Sequence, residues 1–194
     1  MTAAVFVDRD GVLNELVPDL QSGRPESPLD PEQVVLVPGA AAALRRLRDA
    51  GYVVVGVSNQ PAAAKGSVEI EQLERVQARV LELLESAGAA PGAFRFCFHH
   101  PEGVVPELTR VCDCRKPAPG MLLDAAAELD LDLRASWMVG DTDADIAAGA
   151  AAGCRTILIE NPGSAHKRGG DAHPDAIAFD LGAAADLVVA SSVR

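Results

Sequence analysis

The chain has 194 residues, and its 28 Asp and Glu residues outnumber its 17 Lys and Arg residues, which gives a formal net charge of −11. With 48% hydrophobic residues, a chain of this length can form one sizeable core, so we predict a single domain over residues 1–194. The negative charge argues against nucleic-acid and membrane-surface partners. Apolar runs stay well below the roughly 18 residues of a membrane span, and the N-terminus has no signal-peptide pattern. We therefore expect a cytoplasmic protein, and we take it to be a monomer.

Short apolar runs alternate with helical patterns along the chain. The strands are predicted at residues 5–7, 52–57, 94–98, 137–139 and 156–159, and the helices at 40–50, 68–87, 121–129 and 143–152. Residues 34–37 predict a short extended piece, whereas the Pro- and Gly-rich segments 18–31 and 161–174 predict loops. Strands separated by helices predict an α/β fold, in which helices cover both faces of a doubly wound parallel sheet in three layers.

Polar groups follow three of the predicted strands. Asp8 and Asp10 follow the first strand, the segment 58–60 follows the second, and the acidic segment 141–145 follows the fourth. In doubly wound folds, ligands bind beyond the carboxyl ends of the strands. Adjacent strands lie about 4.8 Å apart, so we expect these groups to converge on one site.

Crowded carboxylates need a cation, and an all-oxygen ligand set suits Mg²⁺, which can also hold a substrate phosphate. Asp8 can then attack phosphorus to form an aspartyl phosphate, while Asp10 protonates the leaving oxygen and later activates water. Lys116 and the hydroxyl of Ser58 can stabilise the phosphoryl oxygens. Asn59 and Gln60 continue the same segment, and we predict that they bind substrate.

Four potential zinc ligands lie in two pairs. Cys97 and His99 are followed by Cys112 and Cys114, and three thiolates with one imidazole complete a tetrahedral zinc site. His100 is an alternative to His99 as the fourth ligand. A closed site of this kind predicts a structural zinc that clips a loop over residues 97–114.

The residues from Val7 to Asn14 resemble the DxDGx signature of the haloacid dehalogenase (HAD) superfamily. Ser58, Lys116 and the pair Asp141 and Asp145 match the second, third and fourth motifs of that family. The resemblance implies a HAD-like Rossmannoid fold with Asp8 as nucleophile and Asp10 as acid/base. It also implies that Asp8, the backbone carbonyl of Asp10 and Asp141 bind Mg²⁺. Asp145 either orients neighbouring groups or is simply an acidic residue in the first turn of a helix.

The zinc loop resembles that of the heptose-1,7-bisphosphate 7-phosphatases, in which it stands in for a large cap domain. The resemblance implies an Mg²⁺-dependent phosphatase that acts on a small phosphorylated metabolite, with Arg115 as a substrate-recognition residue. Histidinol-phosphate phosphatases share the zinc loop and are the alternative. A zinc-clipped binding module without turnover and a nucleic-acid end phosphatase are weaker alternatives.

The segment after the second strand departs from the family pattern. Pro61 and Ala62 stand where the family usually has Ser and Gly. Proline removes a backbone N–H that could have met a phosphate. The sequence therefore predicts the phosphatase class more firmly than it predicts the heptose substrate.

Overall fold

The computed structural model describes residues 1–19 and 22–191. Its strands are β1 (Ala4–Val7), β2 (Val17–Pro18), β3 (Pro25–Glu26), β4 (Val53–Asn59), β5 (Ala93–Cys97), β6 (Trp137–Gly140), β7 (Arg155–Ile159) and β8 (Ala176–Ala178). Its α-helices are α1 (Ala40–Asp49), α2 (Ile70–Ser86), α3 (Gly120–Leu129), α4 (Asp143–Ala152) and α5 (Leu181–Ser191).

Six strands form one parallel sheet in the order β5-β4-β1-β6-β7-β8. β1 lies in the middle and is buried along its whole length. Its side chains alternate between two apolar clusters, because successive residues of a strand point to opposite faces. Val5 and Val7 pack in the cluster formed with α1, α2 and α5, and Ala4 and Phe6 pack in the cluster formed with α3 and α4. The predicted three-layer α/β fold is confirmed.

The register of the sheet places the polar segments side by side. Val7 of β1 pairs with Gly56 of β4 and with Val139 of β6. Asp8 therefore comes one residue after this shared level, and Ser58 and Asp141 come two residues after it. The three segments meet at the carboxyl edge of the sheet, as the sequence predicted.

Two elements at the C-terminal end were missed in the sequence. β8 extends the sheet at its edge beside β7, and α5 packs against α1 with Leu181, Ala184, Ala185 and Val188 buried. These four positions have the helical spacing i, i+3, i+4 and i+7, which is the signal that predicts such a helix. The alanines in this stretch make the apolar stripe weak, which explains why it was overlooked.

The two predicted loops contain local structure. Within 18–31, β2 and β3 form a short antiparallel hairpin, and within 161–174 the residues Pro162–Lys167 form a 3₁₀ helix. The predicted extended piece at 34–37 is reduced to one isolated bridge between Leu36 and Asn14.

The connections between the strands carry no large cap in the described part of the chain. The zinc loop, between β5 and α3, contains only the 3₁₀ turn Pro106–Leu108. In the residues that the structure describes, no helix combines the length and the apolar character needed to cross a membrane.

Candidate active site

Asp8 lies at the carboxyl end of β1 at the bottom of an open cavity of about 280 Å³. Its backbone amide donates to the carbonyl of Val139, at 2.9 Å, which ties the end of β1 to β6. The carboxylate is almost fully buried, with 7% of the residue exposed. Burial raises the pKa of Asp8 to about 7, although the positive charge of Lys116 opposes the shift.

Lys116 is the cation that faces Asp8. Its Nζ lies 2.6 Å from Oδ1 of Asp8 and 2.6 Å from Oδ1 of Asp145, and it donates to the carbonyl of Val57 at 2.8 Å. Burial by itself lowers the pKa of a lysine, but the two carboxylates outweigh it and raise the pKa of Lys116 above its usual range. Lys116 therefore stays charged and stabilises the negative charge of Asp8.

Asp145 combines both of the functions considered for it. Its Oδ2 accepts hydrogen bonds from the backbone amide and the hydroxyl of Thr142, which precedes α4. This is an N-terminal helix cap, in which the acidic residue of the first turn reaches back to the capping residue. Since Oδ1 of the same carboxylate holds Lys116, the start of α4 orients the cation of the site.

Asp10 is held by donors on three sides. The guanidinium of Arg9 donates to both carboxylate oxygens at 3.0 Å, the side-chain amide of Asn14 donates to Oδ1 at 3.0 Å, and that of Gln60 donates to Oδ2 at 2.6 Å. Burial favours the neutral acid, but the charge of Arg9 and these hydrogen bonds prevail and lower the pKa of Asp10. Asp10 is thus a fixed, ionised carboxylate that lines the cavity.

Arg9 and Asn14 were not singled out in the sequence as parts of this arrangement. Arg9 is fully buried and also donates to Oε1 of Gln77 in α2, at 3.2 Å. A buried arginine must be paired, because an unpaired buried charge is strongly unfavourable. Its position between two aspartates in the sequence was the available signal.

The segment 58–60 is brought to the site, but its side chains do different things. Ser58 lines the cavity, and its hydroxyl accepts a hydrogen bond from Gln60 at 2.9 Å. Asn59 also lines the cavity and exchanges two hydrogen bonds with the backbone of Lys116, at 2.9 and 3.1 Å. Gln60 is 2% exposed, and its amide is directed to Asp10 and Ser58, so its contacts orient these two side chains.

Asp141 faces Asp8 across the cavity. One carboxylate oxygen from each of Asp8, Asp141 and Asp145 lies within 4.8 Å of the others. Burial raises the pKa of Asp141 to about 8, and the charges of Asp8 and Asp145 add to the shift. Neither carboxylate oxygen of Asp141 has a hydrogen-bond partner in the described residues. Buried polar atoms without a partner are rare, and oxygens in this position fit Mg²⁺.

The backbone around Asp141 is held by side chains of the 161–174 segment, which the sequence predicted to be a loop. The hydroxyl of Ser164 and the guanidinium of Arg168 both donate to the carbonyl of Asp141, at 3.1 and 3.2 Å. Asn161 donates to the carbonyl of Gly11 at 2.9 Å. The segment therefore joins the loop after β1 to the loop after β6.

The predicted zinc ligands form one cluster. Sγ of Cys97, Nδ1 of His99, Sγ of Cys112 and Sγ of Cys114 all lie within 4.8 Å of one another. Contacts between these atoms measure 3.2 to 3.7 Å, at or somewhat below the edge of about 3.8 Å expected for a zinc–sulfur tetrahedron with bonds of ~2.3 Å. None of the cysteines forms a disulfide.

His99, not His100, belongs to this cluster. Nδ1 of His100 instead accepts a hydrogen bond from the backbone amide of Glu102, at 3.1 Å. The fourth cysteine, Cys154, packs in the apolar cluster beneath α3 and α4. The donor set and its spacing therefore fit a closed four-ligand zinc site.

Arg115 and Lys116 directly follow the last zinc ligand, so the metal cluster and the cavity share one segment. Arg115 lines the cavity, and its guanidinium donates to the carbonyl of His99 at 3.3 Å. The rest of the cavity wall comes from the β2–β3 hairpin and its flanking residues, the segment after β4, the start of α4 and the 3₁₀ helix Pro162–Lys167. These segments contribute Leu16, Glu26, Ser27, Pro61, Lys65, Thr142, Ala144, Ser164 and Lys167.

Comparisons with known proteins agree with this geometry. The HAD-hydrolase-like family model matches residues 113–184. A D-glycero-D-manno-heptose-1,7-bisphosphate 7-phosphatase from Thermosynechococcus vestitus is 41% identical over 193 residues, which cover 95% of this chain and 94% of that protein. A D-glycero-beta-D-manno-heptose-1,7-bisphosphate 7-phosphatase from Yersinia pestis is 35% identical over 191 residues, which cover 98% of this chain and 96% of that protein.

A solved structure shows the same relationship. The D,D-heptose 1,7-bisphosphate phosphatase from B. bronchiseptica, complexed with magnesium and phosphate, matches with a TM-score of 0.79 and 30% sequence identity, over 97% of this chain and 99% of that chain. The resemblance that the motifs indicated is confirmed along the length of the chain. This chain belongs to the heptose-1,7-bisphosphate 7-phosphatase family of HAD-like phosphoric monoester hydrolases.

Proposed function

We propose that this protein hydrolyses the 7-phosphate of D-glycero-D-manno-heptose 1,7-bisphosphate and releases the 1-phosphate. The observation that carries the proposal is the pairing of Asp8 with Lys116 at the bottom of an open cavity, opposite the unpartnered carboxylate of Asp141. Relatives of this chain bear the name of that activity at 35% and 41% identity.

In the first step, a carboxylate oxygen of Asp8 attacks the phosphorus atom, and the bond between phosphorus and the sugar oxygen breaks. Asp10 donates its proton to the leaving sugar oxygen. Asp10 is ionised in the free protein, but a bound phosphate dianion raises the pKa of a neighbouring carboxyl group, because like charges disfavour ionisation. Lys116 and the hydroxyl of Ser58 stabilise the phosphoryl oxygens.

In the second step, Asp10 removes a proton from water, and the resulting hydroxide attacks the phosphorus of the aspartyl phosphate. The bond between phosphorus and Asp8 breaks, so that Asp8 is again a free carboxylate and Asp10 is protonated, as it was before the first step. When inorganic phosphate leaves, Asp10 releases this proton to solvent and returns to the ionised state of the free protein. Gln60, through its hydrogen bonds to Asp10 and Ser58, positions both groups for these steps. Asn59 and Arg115 bind the rest of the substrate from the cavity wall.

Asp8, the backbone carbonyl of Asp10 and Asp141 would hold Mg²⁺. When bound, the ion would supply positive charge against the crowded carboxylates and the phosphoryl group. Cys97, His99, Cys112 and Cys114 would hold a structural zinc that fixes the segment leading into Arg115 and Lys116. Thiolate ligands persist in a reducing compartment, which supports a cytoplasmic location, and the shared sheet supports a single domain.

The test is phosphate release from heptose 1,7-bisphosphate with Mg²⁺, compared with release from histidinol phosphate under the same conditions. We expect the higher kcat/KM for the heptose substrate, and we expect Asp8→Asn to reduce turnover to background. The matched control is Asp49→Asn, the same chemical change at an exposed position at the end of α1.

Three results would overturn the proposal. Turnover by Asp8→Asn at the rate of the control would show that Asp8 is not the nucleophile. A higher kcat/KM for histidinol phosphate would indicate that histidinol phosphate is the substrate. Tight binding of heptose bisphosphate without any turnover would indicate that the protein is a binding module.

A further inference from the structure

The carboxylate of Asp141 depends on its own backbone for its position. Both of its oxygens are buried, and in the described residues neither accepts a hydrogen bond. The neighbouring charges of Asp8 and Asp145 repel its ionised form and so do not hold it. Any contact that fixes the backbone of Asp141 therefore also fixes a proposed Mg²⁺ ligand.

Arg168 fixes this backbone through a single nitrogen atom. Its Nη1 lies 3.2 Å from the carbonyl oxygen of Asp141, 3.0 Å from that of Asn161, 3.5 Å from that of Ile159 and 3.2 Å from the hydroxyl of Ser164. These groups come from the segment after β6, the end of β7 and the 3₁₀ helix that follows β7. The guanidinium therefore joins three segments at one point.

Asp143 holds the stretch of chain from which Arg168 extends. Its Oδ2 accepts hydrogen bonds from the backbone amides of Gly169 and Gly170, at 2.6 and 3.1 Å. Asp143 is the first residue of α4 and lies two residues after Asp141. Each segment thus holds the backbone of the other with a side chain, and this reciprocal contact opposes a shift of one against the other.

We propose that Arg168 is a positioning residue for the Mg²⁺ site: by holding the carbonyl of Asp141, it keeps the Asp141 carboxylate beside Asp8, where both can bind the ion. The inference rests on the proposed function, in which Asp141 is a Mg²⁺ ligand. Arg168 is not among the residues that line the cavity, so it acts through Asp141 and not on the substrate. Outer contacts of this kind orient metal ligands, and their loss costs about 10–100-fold in metal affinity.

Electrostatics and positioning predict opposite effects when Arg168 is removed. A guanidinium beside the site repels a divalent cation, so the loss of its charge by itself should strengthen Mg²⁺ binding. The loss of its contact with the backbone of Asp141 should weaken Mg²⁺ binding. The direction of the change in affinity therefore distinguishes the two roles.

The test measures Mg²⁺ affinity by titration calorimetry, which does not depend on turnover. We expect Arg168→Met to weaken Mg²⁺ binding at least about tenfold. Arg168→Lys should recover part of this loss, because an ammonium group can replace the one nitrogen that makes the contacts. Ser164→Ala removes the other side-chain donor to the Asp141 carbonyl without a change of charge, and it should weaken Mg²⁺ binding by a smaller factor, roughly threefold.

The matched control is Arg48→Met. It removes a guanidinium that donates to the carbonyl of Gly88 at 2.8 Å, at the amino edge of the sheet where α1 leads into β4. This control should bind Mg²⁺ as tightly as the unmodified protein. Arg168 is half-buried, so Arg168→Gln, which keeps a polar side chain there and carries the same expectation, takes the place of Arg168→Met if that variant does not fold.

Mg²⁺ binding that is unchanged or tighter without the Arg168 guanidinium would overturn the inference and leave the phosphatase assignment intact. An equal loss of affinity in Arg48→Met would also overturn it, because the effect would then reflect general destabilisation. If the unmodified protein binds no Mg²⁺, the proposed Mg²⁺ site itself is wrong.

Discussion

Gly11 is a position where the backbone directly constrains Asp141, a proposed Mg²⁺ ligand. Its φ is +89°, and a Cβ atom there would lie 2.2 Å from Oδ2 of Asp141. Its carbonyl also accepts the hydrogen bond from Asn161. Gly11→Ala therefore introduces two separate effects, backbone strain in the left-handed region and displacement of the Asp141 carboxylate.

The two effects have different sizes and different readouts. A left-handed conformation costs an alanine roughly 1–2 kcal/mol of folding stability. The clash costs little stability, because the carboxylate is the far end of a side chain and can rotate away. That rotation moves the proposed Mg²⁺ ligand Asp141 from its place. Because disturbing even the outer partners of a ligand costs about 10–100-fold in metal affinity, we expect Mg²⁺ affinity to fall at least about tenfold, or ~1.4 kcal/mol.

Gly51→Ala separates the two effects. Gly51 has nearly the same φ, +92°, but a Cβ there meets no atom within 4 Å. We expect equal losses of about 1–2 kcal/mol in urea unfolding for both variants, with Mg²⁺ affinity by titration calorimetry reduced only in Gly11→Ala. If Gly11→Ala binds Mg²⁺ as tightly as Gly51→Ala, the argument that Gly11 makes room for the Asp141 carboxylate is wrong.

Two further predictions concern the metals. Cys112→Ser should lose the bound zinc ion and have a lower Tm, because three ligands no longer close the cluster. Cys154→Ala is the control and should retain the zinc. Metal analysis that finds one zinc per chain in Cys112→Ser would contradict the proposed ligands. Mg²⁺ binding near pH 6.5 should release protons, because the pKa values of Asp8 and Asp141 are raised to about 7 and about 8 in the metal-free protein. For the same reason, the apparent Mg²⁺ affinity should rise with pH up to about 8. Calorimetry in two buffers of different ionisation enthalpy measures this proton release. If no protons are released, the inference that burial and mutual repulsion raise the pKa values of Asp8 and Asp141 is wrong.

Local sequence patterns predicted the site residues that directly follow a single strand, because the position of such a residue is set by that strand alone. Asp8 follows a short apolar run, and Asp141 follows another, so the parallel sheet predicted from the alternation of elements already implied that they meet. The zinc ligands were visible for a similar reason, since their spacing by itself indicates a clipped loop. In both cases the information lies in a few neighbouring residues.

Contacts between distant segments were outside the reach of such patterns. Arg168 donates to the carbonyl of Asp141 from a segment that was predicted only as a loop, and Gln60 donates to Asp10 across 50 residues of sequence. The choice of His99 over His100 depended on which imidazole the loop directs to the three thiolates. α5 was missed because its alanine-rich stripe has little hydrophobic contrast.

The amino-acid sequence by itself determined the chemistry of the site, because strand periodicity and motif spacing are local properties that specify which carboxylates, lysine and thiols reach the edge of the sheet. Only the tertiary structure decided which of these groups touch: that Lys116 bridges Asp8 and Asp145, and that Asp10 is held by Arg9 and Gln60. Pairing and burial depend on side chains brought together from distant segments, and these contacts set the charge state of each group.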